Sequence, residues 1–184
     1  VACRNALGYG PYVNGHALPY EAVYDFLVRV DDRLLHGQVI CSWVPFVRAD
    51  TLIVASDEAA SDELASEIIE SCGHPDLSVD VKSIGDVIHD AAGDGDFGDR
   101  RVILIVGCLE DALRVYEEGV RFSTLNIGNI HHNDGGRKLA PSVILNSRDE
   151  EIIAGFIRQG VTIDIRAIPK SDPAGYTARE KDAG

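Results

Sequence analysis

The chain predicts an α/β fold: a doubly wound, mostly parallel β-sheet of about six or seven strands, with helices on both faces. Three observations carry this prediction. Short β-branched runs recur along the chain and are nearly continuous in apolar character, as strands covered on both faces are. Between them lie longer segments whose apolar residues have helical spacing. Glycines, serines and acidic first turns mark the joints. Such alternation builds βαβ units, and right-handed crossovers then place the βα loops along one edge of the sheet.

Taken in order, residues 1–25 hold Gly8, Gly10, Pro11, Gly15 and Pro19 among four tyrosines. They show no period and read as an irregular N-terminal extension or linker. Regular structure starts at Phe26 and fills a domain spanning 26–169, with 170–184 as a C-terminal tail. Strands are expected at 26–30, 51–55, 77–82, 101–106, 124–127, 142–145 and 162–165. Helices are expected at 38–47, 62–71, 84–92, 110–118 and 149–159. Ser61 and Asp62 open one helix, and Ser147 with Glu150 reads as a capping box for the last. Gly73, Gly119 and Gly160 stand where helices should end. The βα loops are then 31–37, 56–61, 107–110 and 128–137.

A chain of 184 residues, 45% hydrophobic and 26% charged, has the make-up of one globular domain with a proper core. The net charge of −13 excludes nucleic acid as a partner, because phosphates would be repelled. No apolar run approaches the ~18–20 residues of a membrane span. The first residues carry no apolar stretch of the secretory kind. The four cysteines form no CxxC pair, and three of them read as small core residues. A cytoplasmic location is the expectation.

Chemistry gathers in the stretch from Phe26 to Val39. An apolar strand meets Asp31, Asp32 and Arg33, and His36 then stands directly before Gly37, Gln38 and a helical pattern of Val39, Ile40, Trp43, Val44 and Val47. That puts His36 at a strand-end loop, where open parallel sheets bind ligands. A neutral imidazole has one nitrogen to attack with and one N–H to donate, and a phosphoryl group is a natural electrophile for it. Arg33 offers a planar fork for phosphate oxygens, each charge-assisted bond contributing roughly 1.5–3 kcal/mol. The start of the next helix adds a dipole term of roughly 0.3–1 kcal/mol. Either Asp31 or Asp32 is placed to hold the second ring nitrogen, with the other capping the turn. His131 and His132, after Gly128, lie in a second polar, glycine-rich loop that is expected to line the site. Adjacent histidines rarely point the same way and no second cluster has ligand spacing, so no metal is expected. No GxxxxGK[ST] occurs, and the one GxGxxG, Gly93-Asp-Gly-Asp-Phe-Gly98, lies in an acidic turn or exposed loop before a strand and does not join a strand to a helix, which counts against a nucleotide-binding domain. Trp43 reads as core, and His16, His74 and His89 as surface.

The segment Val28-Arg-Val-Asp-Asp-Arg-Leu-Leu-His-Gly-Gln-Val39, followed by Ser42-Trp43-Val44, resembles the opening of the IIB component of the mannose/fructose/sorbose family of bacterial sugar phosphotransferase systems. Supporting matches follow at 49–58, 62–64, 110–113, 118–120, 125–132 and 160–169. The Arg33-to-Gln38 segment is the specific one. Two places depart from the family pattern. Gly128-Asn129-Ile130-His131-His132 stands where the family has Gly-Gly-Met-His-His. Gly107-Cys108-Leu109 replaces a basic residue and Asn-Pro, which would slow transfer or suit a different donor if that basic group binds phosphate.

The resemblance implies a protein-phosphohistidine–sugar phosphotransferase. His36 would accept a phosphoryl group from a phosphohistidine on a IIA protein or domain and pass it to a sugar imported by the membrane IIC and IID proteins. Arg33 and Asp31 would flank it, with Asp32, Gly37, Gln38, Gly128, His131 and His132 in the loops that meet phosphate or partner. The intermediate is a covalent phosphohistidine and no cofactor is implied. The protein would associate peripherally with the permease, and a homodimer is a candidate assembly. The alternative within the same chemistry is a regulatory carrier that signals sugar supply without serving a permease.

Overall fold

The computed structural model describes residues 9–13, 16–19, 26–94, 100–132 and 135–176. In chain order, β1 (Tyr9–Val13) and β2 (His16–Pro19) pair antiparallel as a separate ribbon, so this part of the extension is not irregular. Then come β3 (Phe26–Asp31), a π-helical turn (Val39–Trp43), α1 (Val44–Val47), β4 (Thr51–Ala55), α2 (Asp57–Ser61) and α3 (Glu63–Glu70). The chain continues with β5 (Ser78–Lys82), α4 (Ile84–Asp94), β6 (Val102–Val106), α5 (Leu109–Glu117) and β7 (Thr124–Asn129). It ends with β8 (Arg137–Ala140), β9 (Val143–Leu145), α6 (Ser147–Arg158) and β10 (Thr162–Ile165).

Six strands form one parallel sheet in the order β10-β7-β3-β6-β4-β5. The expected seventh strand is not in it: β9 pairs antiparallel with β8, which lies at the end of the second polar loop. Alternation along β3 sends Val28 and Val30 into one core and Leu27 into the other. The first core is closed by residues of α4, α5 and α6, where Tyr116, Phe122 and Phe156 meet at centroid distances of 4.9 to 5.6 Å. The second is closed by Val39, Trp43, Val44 and Val47, with Ile69 of α3 against it.

This order fixes where a ligand can sit. From β3 the chain moves toward β4 and β5, whereas from β6 and β7 it moves the other way. The connections that leave β3 and β7 therefore diverge, and the crevice between their carboxyl ends is the switch point of the winding. The two polar loops singled out in the sequence are the ones that follow these two strands.

Local differences have local causes. The helix expected at 38–47 is broken into a π turn and one turn of α-helix around Pro45. α2 occupies the expected loop 56–61, capped by Ser56 Oγ, which accepts from Ala59 N at 3.2 Å. Asp62 is the cap of α3. The capping box of α6 lies one residue earlier than expected and joins Asn146 to Asp149. The cysteine expectation is overturned: Cys41 and Cys72 are exposed and Cys108 is half-buried. Cys41 faces outward because Val39 and Trp43 take the inner side of its turn; Cys72 sits in the turn that follows α3.

Candidate active site

The site starts with a charge where the sequence pattern wants none. Arg29 lies in the middle of a buried strand and is 0% exposed, as is Asp31 two residues on. Period two puts both side chains on the Trp43 face, and the Arg29 guanidinium lies 5.2 Å from the indole centroid. Strand register pairs Arg29 with Asn126, and Asn126 with Asp164, so polar residues form a row across three strands. Arg29 Nη1 donates to Asn126 Oδ1 at 2.5 Å, and Nη2 to Asp31 Oδ2 at 2.7 Å and to the Ala167 carbonyl at 3.3 Å. Asn126 donates to Asp164 Oδ2 at 3.2 Å, and Arg166 Nε donates to the same oxygen at 2.9 Å. Burial draws the Arg29 guanidinium below its usual range, with Asp31 pulling the other way. Burial likewise pushes the Asp164 carboxyl up, against the pull of Arg166. Trp43 donates its indole N–H to the Ala167 carbonyl at 2.9 Å, so it closes this polar row as well as the core.

Above that row the chain turns back on itself. Leu34 N donates to the Asp31 carbonyl at 2.9 Å and Arg33 N to Asp31 Oδ1 at 3.2 Å. Leu34 adopts a left-handed φ of 55°, a conformation that costs a branched residue about 1–2 kcal/mol and is found at functional turns. The turn delivers His36 to Asp31, with Nε2 2.8 Å from Oδ2. Arg33 Nη2 lies 3.1 Å from the same Nε2 and donates to Gln38 Oε1 at 3.1 Å. The sequence left Asp31 and Asp32 undecided as partners of the ring; the hydrogen bond goes to Asp31.

One nitrogen cannot serve both neighbours. If Nε2 carries the proton it donates to the carboxylate and accepts nothing from Arg33. If it does not, a lone pair faces a carboxylate oxygen at 2.8 Å, which is repulsive. The geometry therefore selects the Nε2–H tautomer, and among the described residues Nδ1 has no hydrogen-bond partner.

Asp32 binds the second loop. Its Oδ2 accepts from His131 N at 2.9 Å and lies 3.1 Å from His131 Nδ1, while Asn129 Nδ2 donates to Oδ1. Asn129 is an ordinary strand residue paired with Asp31, so the family's second glycine is not needed for its backbone. His132 turns away from this contact, its Nε2 2.5 Å from Asp149 Oδ2 in the cap of α6. Gly128 is buried in β7, where the register to β3 skips one residue. A Cβ there would run into the Arg29 guanidinium. Gly37 has open space around its Cα and no left-handed φ. Cys108, at the start of α5 on the same sheet edge, has its thiol pushed by burial up to about 12. No group of three or more His, Cys, Asp or Glu side chains gathers as metal ligands among the described residues. No helix among them is long and apolar enough to cross a membrane.

Arg29, Asn126 and Asn129 are the residues missed in the sequence reading. Arg29 did carry a signal, as the one charge inside the apolar run 27–30.

Comparison with known proteins bears on the family and the fold. The chain is 29% identical over 148 residues to the sorbose-specific EIIB component of Klebsiella pneumoniae, covering 80% of this chain and 89% of that one. It is 32% identical over 153 residues to the N-acetylgalactosamine-specific IIB component 2 of Escherichia coli K12, covering 80% and 92%. The crystal structure of the sorbose permease IIB domain from Klebsiella pneumoniae superposes with a TM-score of 0.73 at 29% identity, covering 81% of this chain and 90% of that one. The family model "PTS system sorbose subfamily IIB component" matches residues 26–178. With His36, its aspartate and its arginine at the switch point of the sheet, the chain belongs to the sorbose-subfamily IIB components of the sugar phosphotransferase system and is a phosphotransferase.

Proposed function

We propose that this protein carries a phosphoryl group on Nδ1 of His36, taking it from a phosphohistidine of a IIA protein or domain. It then hands the group to a sugar of the mannose/fructose/sorbose class that enters through a IIC/IID permease at the cytoplasmic face. The observation that carries this reading is the 2.8 Å contact of Asp31 with Nε2, which leaves Nδ1 as the nucleophile. The existence of a mannose-specific EIIAB component in Escherichia coli, 45% of which this chain matches, supports a IIA partner.

The chemistry follows from the tautomer. The Nδ1 lone pair forms the new P–N bond as the donor's P–N bond breaks, and the proton stays on Nε2. The ring then carries positive charge, which Asp31 balances across its hydrogen bond. Because the proton stays on Nε2, the ring departs as a neutral imidazole when a sugar hydroxyl attacks phosphorus, and the hydroxyl proton passes to solvent. Arg33 is half-exposed, makes no hydrogen bond to Nε2 in this tautomer, and can turn from Gln38 to the phosphoryl oxygens. Gln38 and the Asp32–His131 contact hold the walls of the crevice.

The test is incubation with a phosphorylated IIA protein, followed by mapping of acid-labile, base-stable label. Label is expected on His36 and absent from His36→Gln. Equal uptake by that variant would sink the assignment. Phosphorus–nitrogen coupling in the labelled protein should place the group on Nδ1.

A further inference from the structure

We infer that Arg29 is a positioning residue for phosphoryl transfer: it fixes the Asp31 carboxylate, and through it the tautomer of His36. The inference rests on the reading of His36 as the carrier. Asp31 Oδ2 is shared between two donors, Arg29 Nη2 at 2.7 Å and His36 Nε2 at 2.8 Å, while Oδ1 takes the Arg33 N–H. Of these three, the two loop donors belong to the segment that has to admit a partner. Arg29 alone belongs to the sheet, and the rotation of the carboxylate is set from below.

The guanidinium is itself held at two of its three nitrogens, with Nε buried and unpaired. Asn126 holds Nη1, Asp31 and the Ala167 carbonyl hold Nη2, and Trp43 covers the face. Gly128 provides its space, since any side chain at that bulge would displace it. A buried arginine that served only to neutralise Asp31 would need none of this directional pinning. Its charge has a second consequence. When His36 takes the phosphoryl group, Asp31 faces the charged ring as well as Arg29 at 2.7 Å and Arg33 at 3.7 Å, so its hold on that ring is weaker than that of an isolated aspartate. The group is thus accepted without being trapped.

The test compares Arg29→Lys and Arg29→Gln with Phe156→Leu in the full chain. Phe156 is as fully buried but packs against Tyr116 and Phe122 in the core on the other face of the sheet. Ring 15N shifts of His36 at about pH 9, where an imidazole is neutral, report the tautomer. The wild type should show Nε2–H alone. Both Arg29 variants should show a mixture of tautomers and take up label about tenfold to a hundredfold more slowly at saturating IIA, with the IIA concentration for half-maximal rate unchanged. Phe156→Leu should melt earlier yet keep tautomer and rate. A single tautomer in Arg29→Gln, or equal losses of rate in the Phe156 variant, would overturn the proposal. Should neither Arg29 variant fold, Asn126→Ala releases Nη1 and is expected to give the same mixture, and an unchanged spectrum there refutes it. The spectra need no phosphoryl donor. If the wild type fails to take label, the carrier reading falls, while the link from Arg29 to the ring is still decided.

Discussion

His36 is useful only because its two nitrogens differ, and the residues that make them differ are of two kinds. Asp31 is buried and directional; Arg33 is half-exposed at the surface. That contrast predicts different losses. Arg33 is half-exposed and contacts Gln38 at the surface, so Arg33→Ala should change stability by no more than about 0.5 kcal/mol. Transfer from a phosphorylated IIA should slow by about 10²–10³-fold, the range for removing one donor from a developing anion. Initial rates of label uptake beside a thermal melt measure both, and a wild-type rate would take arginine out of the mechanism. Asp31→Asn should behave otherwise. It leaves the Arg29 guanidinium buried without its counter-charge, and a broken buried pair costs about 3–5 kcal/mol. A drop in melting temperature should therefore accompany its loss of label uptake; a stable but inactive variant would show that the pair does not hold the fold.

At the scale of elements, strands and most helices were legible because period and β-branching report burial directly. The failures occur where an element is too short to show a period, or where two residues compete for one role. α2 has five residues and no apolar stripe to detect. At α6 both Asn146 and Ser147 are good caps; the chain uses Asn146, whose Oδ1 accepts from Asp149 N at 2.8 Å while Asp149 Oδ2 accepts from Asn146 N at 2.8 Å. Asn146→Ala should therefore cost about 1 kcal/mol of stability by denaturant titration. It should leave label uptake unchanged, because the cap touches His132 whereas the active loop is tied to His131. A fall in transfer rate would place His132 in the site. Gly160, which ends that helix at φ 85°, was read correctly: Gly160→Ala forces a side chain into the left-handed region and should cost about 1–2 kcal/mol.

For the whole molecule, periodicity tells that strands exist but not which lie side by side. The triad of Asp31, Arg33 and His36 could be read because one turn of chain supplies all three. The row beneath it could not: Arg29 and Asn126 are 97 residues apart, and only strand order and register bring them together. The pH dependence of folding is likewise a property of the assembled chain, and Cys108 gives it an alkaline limb. Its thiol titrates at 9.0 when unperturbed and near 12 in the folded protein, because burial disfavours the thiolate. The folded state thus holds the proton more tightly than the unfolded one. The corresponding stability is complete below about pH 9 and is lost as pH rises toward 12, at up to one proton per molecule. Unfolding midpoints measured from pH 8 to 11 should fall along this limb in the wild type and fall less in Cys108→Ala, whose baseline is lower. Over the same range the exposed Cys41 and Cys72 should react with a thiol alkylator before Cys108 does. Parallel curves for the two proteins, or alkylation of Cys108 first, would show that its thiol is not held by burial in the assembled fold.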